Sequence, residues 1–115
     1  MSTTTIQIPA DHVEAVRQGL LGRRADPAHS DEIDGLLRQL EAGVAEGARS
    51  HELTGPRTLL WNAVYDSLCA AAEQLADDCN EYWRGEIAPD SARTAIAVVG
   101  ARFDLLVGLG APPGS

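Results

Sequence analysis

At 115 residues the chain is long enough for one domain and too short for two. Its 44% apolar and 23% charged residues are an ordinary globular balance and exclude wholesale disorder. The net charge of −8, seventeen acids against nine arginines and no lysine, argues against broad binding to nucleic acid or anionic lipid.

Thr3 to Ile8 is β-branched and alternating, with Ile6 and Ile8 on one face and Thr5 and Gln7 on the other. The pattern predicts a short strand. A lone strand in a helical chain lacks a hydrogen-bonding partner, so the expectation is antiparallel pairing with its own copy across a two-fold axis. The other reading of residues 1–8 is a plain leader. Pro9 then opens a first helix with the stripe Val13, Val16, Leu20 and with Arg23 and Arg24 at its end. After a break at Asp26–His29, Ser30 is placed to cap a second helix, whose apolar face is Ile33, Leu36, Leu37, Leu40 and Val44. Thr54-Gly55-Pro56 punctuates, and the longest helix runs from Pro56 to Trp83. Its stripe, Leu60, Val64, Leu68, Ala71, Leu75, Cys79, Tyr82, is widened by Trp61, Tyr65 and Ala72, which predicts a central helix buried on two sides. Gly85–Pro89 is a turn before a last helix with Asp90 or Ser91 at its cap and Ile96, Val99, Phe103 and Leu106 along its stripe. The expected architecture is all-α, a small four-helix bundle behind a short N-terminal strand. It comprises one helical domain over 9–107 and a flexible Gly/Pro tail over 108–115.

No cationic stretch followed by an apolar run opens the chain, and Arg102 and Asp104 interrupt its most apolar segment. We therefore expect neither a secretory signal nor a membrane span. Cys69 and Cys79 lie ten residues apart on one helix, about 15 Å along its axis, too far to bridge each other. Two unpaired thiols suit a reducing cytoplasm. Arginine as the sole strong cation points to a GC-rich bacterial genome.

Glu73, Asp77 and Glu81 recur at every fourth residue and share one flank of the long helix. Such a row is either solvated, met by an arginine such as Arg57, Arg93 or Arg102, or a candidate divalent-metal site. In this it is similar to the helix carboxylates of small all-α nucleotide pyrophosphohydrolases, and Asp78-x-x-Glu81 has the spacing of their Glu-x-x-Asp motif. The paired-Glu segment that precedes that motif is missing, as is a lysine for phosphate. The resemblance implies, as one alternative, a metal-dependent nucleotide hydrolase. His12, His29 and His51 have no short-range ligand partner, and no nucleophile elbow, Walker lysine or dinucleotide-binding glycine motif occurs. The residues therefore point away from an enzyme, and no cofactor is expected.

Ile6-Gln7-Ile8-Pro9, then Val13, Val16 and Leu20, then Ser30-Asp31-Glu32-Ile33, resembles the ribbon-helix-helix DNA-binding module over residues 3–45. That resemblance implies a second alternative, a DNA-binding regulator reading bases with Thr5 and Gln7. The ribbon carries no cation, and acids open the second helix where phosphate would lie. The leading expectation is a non-catalytic helical interaction or regulatory module, associating with itself and open to a second protein partner. Trp61 and Tyr65 are the expected anchors of that interface or of a ligand cleft.

Overall fold

A computed structural model describes residues 3–24 and 27–113. The ends of the expected leader and tail, 1–2 and 114–115, and Asp26 of the expected break lie outside the described residues. The elements in chain order are β1 (Thr3–Pro9), a 3-10 turn (Ala10–His12), α1 (Val13–Gly22), α2 (Ser30–Glu46), β2 (Ser50–Pro56), α3 (Arg57–Trp83) and α4 (Pro89–Gly108).

The all-α expectation is wrong. The fold is mixed: four helices and a two-stranded antiparallel sheet in which β1 pairs with β2 of the same chain. The expectation that β1 seeks its copy across a two-fold axis therefore loses its basis, because the missing partner is Ser50–Pro56, expected to be a mere break between helices. Ile6 sits opposite Leu53 and Ile8 opposite His51 on the inner face. Thr5 faces Thr54 and Gln7 faces Glu52 on the outer one. The outer pairs bond to each other, Thr5 Oγ1 to Thr54 Oγ1 at 2.8 Å and Gln7 Nε2 to Glu52 Oε2 at 3.0 Å. The side chains that a DNA-reading ribbon would hold out are thus engaged across the sheet, one of them with a carboxylate.

The outer edge of β2 is closed by a side chain from α2. Gln39 Nε2 donates to the Thr54 carbonyl at 3.0 Å, and the Thr54 N–H donates to Gln39 Oε1 at 2.9 Å. The amide thus stands in for the peptide of a third strand and satisfies both of the backbone groups that Thr54 turns to the open edge. α2 approaches closely enough because Gly43 lies on the His51 ring, where a Cβ would overlap the imidazole.

The inner face of the sheet, α1, α2 and the first half of α3 enclose one core, with Ile8, Leu20, Ile33, Leu36, Leu53 and Leu60 at its centre. α1 crosses α3 where Gly19 meets the Ala63 backbone. Asp66 adds a two-pronged clamp, receiving Arg23 Nε at 2.8 Å and Nη2 at 3.1 Å. That hydrogen bond raises the Arg23 pKa further above its ordinary value. Both partners are more than a third exposed, so the pair contributes less than about 1 kcal/mol.

Beyond Ala71 the architecture changes. No residue of α3 from 72 to 83 is fully buried, and in α4 only Ala95 and Leu106 are. From Tyr65 onward α3 forms with α4 a two-helix arm, one side of which has no third layer against it among the described residues, so α3 is central over its first half alone and not along its whole length as its wide stripe predicts. The radius of gyration is 15.3 Å, against about 13 Å expected for a compact chain of this length. At the base of the arm the chain after α4 is held down. Leu109 is buried, and Arg57 Nη1 donates to the Leu109 and Ala111 carbonyls at 2.9 and 2.6 Å.

Candidate interaction surface

At about 100° per residue, Ala71, Leu75 and Asp78 on α3 face α4. On one side of that contact, Ala70 and Gln74 of α3 with Ser91, Thr94 and Val98 of α4 line a groove of about 280 Å³. On the same side α1 docks through Gly19. The opposite side carries different residues. There α3 presents Tyr65, Cys69, Ala72, Ala76, Cys79 and Trp83, and α4 presents Ile96, Gly100, Phe103 and Val107. No charged side chain enters either row. The α3 row steps four, three, four, three, four and the α4 row four, three, four, which is the spacing of a helix seam built to meet another helix.

These side chains are exposed to a degree that a small soluble domain seldom tolerates. Trp83 is 88% exposed, Val107 61%, Ile96 56% and Phe103 54%. Four large apolar groups on one side of a two-helix layer mark an interaction surface. A row about 27 Å long on α3 and one about 16 Å long on α4, each on a helix about 10 Å wide, give about 430 Å² per copy in flat projection and about 870 Å² when doubled, the size of a small, transient interface.

Trp61 and Tyr65, the expected anchors, lie at the base of this face. Their rings stack with centroids 5.2 Å apart and planes at 13°. Trp61 is half-buried and donates Nε1–H to the Gly110 carbonyl at 3.3 Å, so it is a support for the segment after α4. Tyr65 is the exposed member of the pair, and its contact with the Cys69 thiol raises its pKa above 10.0. Sequence reasoning missed Trp83, Phe103, Ile96 and Val107 as surface groups. It read Phe103 and Ile96 as core because they share a helical stripe. Their exposure is decided by which side of α4 lies against α3.

The acidic row lies elsewhere. Glu73 and Asp77 are exposed, Glu81 is half-buried, and the three are strung over about 12 Å of helix on the flank away from the apolar face. Among the described residues none of them enters an ion pair. The arginines proposed to reach them act elsewhere: Arg57 on the Leu109 and Ala111 carbonyls, Arg93 on Asp90, and Arg102 on the Ser67 carbonyl. Among the described residues no three His, Cys, Asp or Glu converge as metal ligands would.

Arg102 ties α4 to the rest of the fold from the groove side. Its Nη1 donates to the Ser67 carbonyl at 2.7 Å and its Nε to His12 Nδ1 at 3.4 Å. His12 must be neutral at Nδ1 to accept that bond. Burial first, then the Arg102 charge, lower its pKa below 6.5, with Asp11 opposing. Burial also lowers Arg102. A histidine whose folded pKa is depressed stabilises the fold fully above its unfolded value and loses that contribution as the pH falls. Stability should therefore drop as the pH is lowered through 6.5, and more steeply than in His12→Gln. Urea melts at pH 7.5 and 5.5 of both proteins measure the difference, and equal drops would show that His12 is not the responsible group.

Compared with known proteins, the chain matches no family model, no curated protein and no solved structure. Among the described residues no helix is long and apolar enough to cross a membrane.

Proposed function

We propose that the protein is a non-catalytic, homo-oligomeric interaction module, and that the α3–α4 arm of one copy docks through its apolar face on the arm of another. The observation that carries this reading is the continuous uncharged face bearing Trp83, Phe103, Ile96 and Val107 on a two-helix layer that nothing among the described residues covers. Docking a second arm turns two exposed hairpins into a four-helix bundle, the usual way in which such layers bury their stripes. The −8 charge does not oppose this association locally, because no acid of α3 lies in the apolar row and Glu73, Asp77 and Glu81 lie on the flank away from it. The free thiols of Cys69 and Cys79 support a cytoplasmic setting, and the arginine-only cation composition supports a bacterial one.

Light scattering or sedimentation of the reduced protein at tens of micromolar should give the mass of a dimer. Phe103→Glu places a charge in the face without touching the core. It should weaken association by at least about 2 kcal/mol, roughly thirtyfold in Kd, with an unchanged far-UV circular dichroism spectrum. A monomeric wild type, or a Phe103→Glu protein that still dimerises, would overturn the reading.

A further inference from the structure

The α3 row is a palindrome. Reading from either end it runs aromatic, Cys, Ala, Ala, Cys, aromatic: Tyr65, Cys69, Ala72, Ala76, Cys79, Trp83. Its spacing is palindromic too, and all six positions point to the same uncovered side of the arm. A two-fold axis perpendicular to the helix, passing between Ala72 and Ala76, lays this row antiparallel on itself with every residue matched by kind.

We infer that two copies associate with α3 antiparallel to α3 about this axis. Ala72 then meets Ala76 of the second copy at the centre, Cys69 lies level with Cys79, and Tyr65 lies level with Trp83. The inference rests on the self-association proposed above and adds its register. Each feature of the row acquires a reason. The alanines let the two backbones approach at the axis, where the helices are closest. The aromatics sit at the two ends, where a pair of helices diverges and large side chains fill the gap.

The cysteines test the register. In the antiparallel pair Cys69 of one copy is level with Cys79 of the other. Cys69 and its own copy, and likewise Cys79 and its own copy, are ten residues apart, about 15 Å along the helix and beyond the about 7 Å that a disulfide spans. The reduced protein is first sized. It is then oxidised with copper–phenanthroline, where two Cu(II) ions take one electron each and two protons leave for each disulfide formed, and non-reducing gels and peptide mapping follow. Wild type should give a covalent dimer linked Cys69 to Cys79. Cys69→Ser and Cys79→Ser should each lose it, and a mixture of the two variants should regain it as a singly linked heterodimer. A monomer under reduction overturns this inference and the proposed function together. A dimer that does not cross-link, or one that still cross-links in either single variant, overturns the register and leaves self-association standing.

Discussion

Replacing Gly19 by valine is expected to cost about 3 kcal/mol or more, at the upper end for overpacked sites, and to leave a fold of ordinary stability close to its limit. A Cβ at this position would stand 2.5 Å from the Ala63 carbonyl oxygen and 3.2 Å from two further atoms of the same backbone. Backbone within α3 cannot rotate away as a side-chain tip can. α1 must therefore lift off, taking Val16 and Leu20 out of the core, where they are 0% and 1% exposed. Gly22, three residues further along the same helix, is the control. Nothing lies within 4 Å of a Cβ there, so Gly22→Ala should be neutral or stabilising by up to about 1 kcal/mol through helix propensity alone. Urea unfolding of the two variants measures the contrast. Similar midpoints would mean that α1 does not cross α3 at this glycine.

Leu53→Ala is expected to cost about 3 kcal/mol, within the range for deleting a fully buried leucine side chain. Leu53 is 0% exposed, stands opposite Ile6, and is the one large aliphatic side chain on the inner face of β2. The loss should be felt unevenly. With its inner anchor gone, β2 opens, and β1 loses the only strand that it pairs with among the described residues. Amide exchange of Ile6, Ile8 and Leu53 should accelerate more than that of the α3 residues Leu60 to Val64. Uniform acceleration, or a cost below about 1 kcal/mol, would show that the sheet does not depend on the core beneath it.

Both variants act on the lobe made by the sheet, α1, α2 and the first half of α3, and neither touches the exposed arm. Phe103→Glu acts on the arm and spares the lobe. The stability of the fold and its association are therefore separable, and a protein with a normal melt and the mass of a monomer is a meaningful outcome.

Much of the helical plan is determined by the sequence alone. α2 carries its core residues at helical spacing, and Ile33, Leu36, Leu37 and Leu40 are all buried. β1 is legible because β-branched residues alternate with polar ones over Thr3–Ile8. Its partner is not legible. The inner positions of β2 are His51, Leu53 and Gly55, so two of the three residues that should announce a buried face are a histidine and a glycine. Those residue types make sense only beside α2, where Gly43 accommodates the His51 ring and a Cβ at Gly55 would press Leu36 Cδ2 at 2.8 Å. A lone-strand argument built on β1 consequently looked for a second chain when the answer lay 45 residues downstream. The arm shows the same limit from the other side. The rows on α3 and α4 are apolar over more than half of each helix, and a helical wheel does not say which part is covered. The docking of α1 at Gly19 and of α4 at Ala71 decides that. Tertiary packing buries the parts of α3 that meet α1 and α4 and leaves Trp83, Phe103, Ile96 and Val107 outside.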